Sequence, residues 1–382
     1  MGILAILTSV YSIHLGSEYD QKVTLTLRGT GKKFKRRACV IMPCKGYEPG
    51  LERNIEAVLH QRYDDYETVI VTDSPDDPAH RIASSVLAKN PTVNAKLLIS
   101  EPRGDVSGKV AALLSALEKT WGSADVYAFV DSDSLVSSKW LEDLVGPLID
   151  DSVGSATGFR WYFPSKGGIW SYVEAAWNAS GTNVFFHDRY NFPWGGSMAV
   201  RASTLQRICI RQVWANAVSD DMALNVALRS HGYRVVFLPQ CTVATFNQTD
   251  LSRMLDWTTR QTILTKVFNR RLWNYALAAY AFFDFTFLLG IVSVTLGISV
   301  GSTWLLPAVL LLFPAGSGIL RSCQRCKTFK RAMPQFKREF EKNSLPTSLA
   351  SLLVPWVMTY CIAKSALTNK IEWRDRNYEL KR

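Results

Sequence analysis

Neither G-x-G-x-x-G nor G-x-x-x-x-G-K-[S/T] occurs in the 382 residues, so neither a dinucleotide fingerprint nor a P-loop is supported. Cysteine is scarce and scattered. Of seven cysteines, Cys323 and Cys326 form one C-x-x-C, with no second pair and no nearby histidine. A zinc site needs about four such ligands. A disulfide framework is equally unsupported, and the pattern fits a reduced domain facing the cytosol. On such a domain the glycosylation sequons at Asn178 and Asn247 are chance matches. No internal repeat and no low-complexity tract is present. The apolar segment 1–16 has no basic residues ahead of it, unlike a signal peptide, and reads as an anchor or interfacial helix.

Charge is nearly absent from two long stretches. Between Tyr275 and Leu320 the only formal charge is Asp284; between Leu345 and Leu367 it is Lys364. One membrane crossing takes about 20 apolar residues. Residues 275–320 therefore suffice for a transmembrane hairpin turning near Gly301-Ser302. Residues 345–368 make a transmembrane or re-entrant segment, with Pro355 interrupting it. Asp284, as an intramembrane charge, is either a packing residue or a functional candidate.

What is abundant is positive charge, +11 in total, and it is clustered. Basic runs lie at Lys32–Arg37, in the loop 321–344 and in the tail 369–382. Basic clusters beside apolar spans mark the cytoplasmic side and an anionic lipid surface. They form no nucleic-acid module, so no nucleic-acid partner is expected. Both flanks of 345–368 look cytoplasmic, which favours a re-entrant segment there.

From Ala38 onward, short apolar runs alternate with amphipathic stretches. Strands are expected at Cys39–Pro43, Glu67–Thr72, Ala95–Ile99 and Val126–Val130, with helices between them. This is an α/β pattern: a mainly parallel sheet with helices on both faces. Ligands of such sheets bind beyond the carboxyl ends of the strands. Asp73 follows the second strand, and Asp131-Ser132-Asp133 ends the fourth. Two carboxylates at a strand end make a hard-oxygen site suited to Mg²⁺ or Mn²⁺, though strand-end turns also use Asp-x-Asp. Further along, Trp194-Gly195-Gly196 closes an aromatic, glycine-rich segment with the look of an acceptor-facing surface. Ser219-Asp220-Asp221 heads an amphipathic helix, and Arg253-Met254-Leu255-Asp256-Trp257 precedes the hairpin.

Taken in order, these elements resemble glycosyltransferase family 2 and, more closely, the ceramide glucosyltransferase family numbered 21. The shared motifs are Lys45-Gly46 after the first strand, Asp73 through Pro78-Ala79 after the second, the acidic pair heading a helix, the Arg/Gln-x-x-Arg-Trp motif, and Trp373-Arg374 with Tyr378 near the C-terminus. There are two departures. Asp256 stands where the family has arginine, with Arg260 or Arg253 placed to compensate, and Asp131-Ser132-Asp133 is closer to general family-2 enzymes.

The resemblance implies a GT-A type catalytic domain over 38–250, interfacial helices over 251–274, and C-terminal transmembrane or interfacial helices. It implies the roles as well. Asp73 contacts the donor nucleoside, while Lys45 and Lys109 serve its nucleotide and diphosphate. Asp131 and Asp133 hold the metal. Asp221 is the catalytic base, with Asp220, Trp194, Gly195 and Gly196 on the acceptor side. Arg253 and Trp257, four apart on one helical face, contact donor phosphate and sugar, unless Trp257 is an interface anchor. For Asp221 the competing reading is a helix cap; for Asp73 it is a cap or turn. The expectation is an inverting hexosyltransferase in the membrane, carrying a hexose from a nucleotide sugar, a UDP-sugar by preference, to a lipid. A processive polysaccharide synthase and a catalytically silent membrane scaffold are the alternatives.

Overall fold

The computed structural model describes residues 2–28, 34–103, 106–373 and 376–380. Lys32 and Lys33 of the first basic cluster, Arg374 and Asp375 of the C-terminal motif, and the last two residues lie outside the described residues. The chain divides into two compact units. A sheet unit comprises Leu25–Trp161 and Gly181–Phe246; a helical unit comprises Met1–Thr24, Tyr162–Ser180 and Asn247–Arg382.

Along the chain the elements begin with α1 (Gly2–Arg28), β1 (Ala38–Cys44), α2 (Leu51–Leu59), β2 (Tyr66–Thr72), α3 (Pro78–Lys89), β3 (Ala95–Ile99), α4 (Gly108–Thr120) and β4 (Val126–Val130). These match the alternation expected from the sequence. Then come α5 (Trp140–Val145), β5 (Val153–Thr157), β6 (Arg160–Pro164), α6 (Ile169–Phe185), β7 (Ser197–Arg201), α7 (Ala202–Arg207), α8 (Ile210–Trp214), α9 (Asp220–Ser230), β8 (Arg234–Phe237) and β9 (Val243–Asn247). The C-terminal part is α10 (Leu251–Phe268), α11 (Arg270–Ser299), α12 (Leu305–Ala332), α13 (Lys337–Ala350), α14 (Val354–Ala366), β10 (Lys370–Trp373) and β11 (Arg376–Glu379).

Seven strands form one sheet in the order β3-β2-β1-β4-β7-β5-β8. Only β7 runs antiparallel to its neighbours β4 and β5. The central strands are buried on both faces, which explains their unbroken apolar runs. Successive β1 side chains enter opposite cores. Val40 and Met42 join α2, α3 and α5 on one face; Cys39 and Ile41 join α4, α8 and α9 on the other.

Parallel register brings the ends of β1, β2 and β4 to one edge, with Cys44 opposite Thr72. Because β7 is antiparallel, its first residue Ser197 pairs with Val130, the last of β4. The segment 194–196 is thereby led to the same edge as Lys45, Asp73 and Asp131.

In the helical unit, among the described residues, three stretches are long and apolar enough to cross a membrane: Arg270–Ser299, Leu305–Ala332 and Pro334–Ala366. On α11, Phe285, Leu288, Ile291, Val292 and Ile298 are exposed, as a lipid-facing surface requires. Gly301 and Ser302 lie in the short link between α11 and α12. Pro355 does not break the third stretch. It sits in the first turn of α14, where a missing N–H costs no intrahelical bond. Asp284 accepts a hydrogen bond from Thr359 Oγ1 at 2.6 Å, tying α11 to α14. β10 and β11 pair antiparallel, with Trp373 opposite Arg376.

Candidate active site

The carboxyl edge of the sheet carries a chain of alternating charges, all within the sheet unit. Arg160 Nη2 lies 3.1 Å from Asp133 Oδ1 and 3.0 Å from Asp131 Oδ2. Lys109 Nζ lies 2.8 Å from Asp131 Oδ1 and 3.1 Å from Asp220 Oδ2. The order is Asp133, Arg160, Asp131, Lys109, Asp220, minus and plus in turn, and Asp221 acts on Lys109 through space.

Local structure places each member. Asp131 and Asp133 follow β4, and their loop is pinned by Asn54 of α2, whose Nδ2 donates to Ser132 O at 2.8 Å. Ser107 caps α4 by accepting from Val110 N at 3.3 Å, which sets Lys109 in the first turn. Asp220 and Asp221 occupy the first turn of α9, where carboxylates suit the helix dipole. Asp221 Oδ1 also accepts from Met222 N at 2.7 Å.

The two glycines of the Trp194 segment permit this close assembly. A Cβ on Gly195 would stand 2.2 Å from Asp220 Oδ2 and 2.8 Å from Lys109 Nζ. A Cβ on Gly196 would stand 2.1 Å from Trp194 Cη2 and 2.7 Å from Asp131 Oδ2. Trp194 folds over its own backbone, and Arg160 packs on its ring with Cζ 5.0 Å from the centroid. That cation–π contact fixes the guanidinium over the two aspartates.

Burial sets the electrostatics. It pushes the Asp220 carboxyl up to about 6 against the pull of Lys109, and Asp221 and Asp131 raise it further. Burial alone would lower the Lys109 ammonium. Asp131, Asp220 and Asp221 outweigh it and hold it above the ordinary lysine range.

A second group lies at the ends of β1 and β2. Lys45 Nζ pairs with Asp73 Oδ2 at 2.6 Å, both about a third exposed. Asp77 caps α3, accepting from Ala79 N at 2.7 Å, and also accepts from Gly46 N at 2.8 Å. The cap is thus Asp77, which leaves Asp73 to Lys45. Gly46 has φ +72° with open space beside it, so backbone conformation is what calls for glycine there.

Arg253 and Trp257 belong to the helical unit. Arg253 is exposed and lies 3.6 Å from Asp250, the N-cap of α10. Trp257 is wedged edge-on against Trp177 and Tyr162, with centroids 4.7 and 5.6 Å away. Asp256 faces Lys364 of α14 at 3.6 Å. The acidic departure in the fourth motif therefore meets the lone charge of the second apolar run. Sequence reasoning looked for compensation at Arg253 or Arg260, because Lys364 lies 108 residues away.

Arg160, Asn54 and Asp77 were not singled out by sequence reasoning. Arg160 belongs to no motif and reaches Asp131 across 29 residues. Asp77 precedes Pro78, a helix-start signal that was there to be read.

The donor set fits a divalent ion. Asp131 and Asp133 already converge on one cationic nitrogen. Mg²⁺ characteristically takes one or two carboxylates and completes its shell with phosphate oxygens and water. Among the described residues no group of three His, Cys, Asp or Glu could hold a metal by itself, so a diphosphate would have to supply the remaining oxygens.

The family model described as glycosyl transferase family 21 matches residues 3–382. Among solved structures, the chain is similar to a mannosyltransferase from Pyrobaculum calidifontis, PcManGT, in complex with GDP-Man and Mn²⁺. Identity there is 15%, coverage 94% of this chain and 98% of that one, and the TM-score 0.44. A mycobacterial protein is similar at 17% identity over 64% of this chain and 77% of that one, with a TM-score of 0.38.

Proposed function

Since the chain belongs to glycosyltransferase family 21, we propose that it transfers a hexose from a nucleotide sugar, a UDP-sugar in our reading, to the hydroxyl of a membrane lipid such as ceramide, with inversion. The observation that carries this reading is the ordered charge chain at the sheet edge, ending at Asp220, with the half-buried carboxylate of Asp221 next to it.

In this reading Asp73 and Lys45 receive the nucleoside side of the donor. Asp131 and Asp133 hold Mg²⁺ or Mn²⁺, which when bound neutralises charge on the departing diphosphate. Arg160, already on both aspartates, is placed beside that diphosphate and can bind its oxygens bidentately. Lys109 locks Asp131 to Asp220 and so fixes the spacing between the donor side and the acceptor side. Asp221 accepts the proton of the attacking lipid hydroxyl while the nucleotide leaves from the opposite face of the sugar. Trp194 offers an aromatic surface beside that hydroxyl.

Three apolar helices and their basic flanks support a site facing the cytosol, where a soluble donor and a lipid acceptor are both at hand. The test is to incubate membranes holding the protein with a panel of labelled nucleotide sugars and to extract the lipids. We expect label in a single glycolipid, loss of labelling with EDTA, and recovery with Mn²⁺ or Mg²⁺. Label in a long polymer would replace lipid transfer by polysaccharide synthesis. Neither transfer nor slow donor hydrolysis would mark a silent scaffold.

A further inference from the structure

Both oxygens of Asp131 already carry a cation. Lys109 Nζ lies 2.8 Å from Oδ1, and Arg160 Nη2 lies 3.0 Å from Oδ2. The same Nη2 reaches Asp133 Oδ1 at 3.1 Å. One arginine nitrogen therefore bridges the two carboxylates read above as ligands of a divalent ion. An ion bound by carboxylate oxygens sits about 2.0–2.6 Å from them. Bridging these two oxygens, it would compete with Nη2 for the same place. It would also be the third cation on Asp131, so one of the first two has to yield. Arginine keeps its charge in proteins, so it can yield only by moving.

The neighbours decide which cation moves. Lys109 also holds Asp220, which is 3.1 Å away and only 2% exposed. Withdrawing Lys109 would strip a buried carboxylate of its ion-pair partner, which is costly. Arg160 serves Asp131 and Asp133, and an ion on those two would neutralise both. Neither is stranded when Arg160 leaves. The ring of Trp194, with its centroid 5.0 Å from Cζ, can keep the guanidinium in the site after it lets go. Beside an ion alone, however, the displaced guanidinium is repelled. A diphosphate relieves that repulsion, because its oxygens both complete the shell of the ion and accept the paired N–H groups of the arginine.

We propose that Arg160 is a resident cation, holding Asp131 and Asp133 together until a divalent ion and the diphosphate of the donor arrive, and then passing to the diphosphate. The proposal rests on the reading of Asp131 and Asp133 as metal ligands. It makes Arg160 a positioning residue that couples the two binding events, so that metal and nucleotide each tighten the other by the same factor.

The test titrates Mn²⁺ into the full chain in nanodiscs, read by electron paramagnetic resonance, with and without UDP and without any sugar transfer. In the wild type, UDP should tighten Mn²⁺ binding at least about tenfold. Arg160→Met frees the two carboxylates. Mn²⁺ without UDP should then bind at least about tenfold more tightly than to the wild type, and UDP should add less. Unchanged or weaker binding of Mn²⁺ alone would overturn the displacement and leave Arg160 as a support for the aspartates. A gain that high salt abolishes would overturn it too, since salt screens a long-range field far more than a contact inside the site. Should Arg160→Met fail to fold, Arg160→Gln removes the charge but keeps a polar side chain, and the same gain is expected. Equal Mn²⁺ affinity with and without UDP in the wild type would overturn the coupling without any variant. If UDP binds and Mn²⁺ does not in every arm, the metal reading itself fails and takes this proposal with it.

Discussion

At the sheet edge, Asp131 and Asp220 share Lys109, and Asp133 shares Arg160 with Asp131. In the helical unit, Asp256 of the fourth motif meets Lys364 at 3.6 Å, with both side chains well exposed. The first arrangement is buried and alternates in sign, each of its three carboxylates held by a cation before any ligand arrives, which is what catalysis by positioned charges requires. The second is screened by solvent, so it stores little energy and fixes little geometry. Both regions pair opposite charges; burial separates them.

The largest effect expected from disturbing the sheet edge is kinetic. Asp221→Asn keeps the acceptor for Met222 N but removes the base. Turnover should fall by roughly 10²–10⁴, with donor affinity and melting temperature near those of the wild type. Single-turnover rates measured beside donor binding will show it. Wild-type turnover would reduce Asp221 to a cap.

Next comes stability, where the two regions should part. Lys109→Met leaves Asp131 and Asp220 without their shared cation, a change that costs about 3–5 kcal/mol in a buried network. Lys364→Met removes one partner of the exposed pair with Asp256 and should cost at most about 1 kcal/mol. Denaturant unfolding of both variants tests the contrast, and equal losses would erase it.

A smaller effect concerns pH. Burial favours the protonated form of Asp220, whose pKa rises from 3.8 when unfolded to about 6 when folded. The stability this contributes is complete below about 3.8 and is lost as the pH climbs through about 6. Asp220→Asn should therefore flatten the melting-temperature curve between those values. A variant that keeps the wild-type slope would assign it to other groups.

The smallest effect is at Asp256 and Lys364, both well exposed. A double-mutant cycle on that pair should give a coupling of only about 0.2–1 kcal/mol. Exchanging the two, Asp256→Lys with Lys364→Asp, should leave activity near wild type. A large loss would mean that Asp256 acts on the donor through its own charge.

Much of the fold was legible because local pattern and buried sheet obey the same period. The first four strands and the helices between them sit where the apolar runs put them. Two long apolar helices were legible from length and composition, since residues 275–320 carry a single charge. Pro355 misled because a proline within an apolar run looks like an interruption until the helix start is known to fall beside it. Lys109 looked like a donor-binding lysine at a helix start. The structure also joins it to Asp131 and Asp220, a partnership that spans 22 and 111 residues and leaves no local trace.

The sequence by itself determined the family, the α/β alternation, the apolar helices and the carboxylates at strand and helix ends. Each of these is written in a short window as a period, a composition or a motif. Only the tertiary structure decided which charges neutralise one another. Arg160 over Asp131 and Asp133, Lys364 beside Asp256, and Lys109 between Asp131 and Asp220 all depend on which distant segments meet. Coulomb attraction and desolvation act on distance through space, and distance along the chain carries almost no information about that.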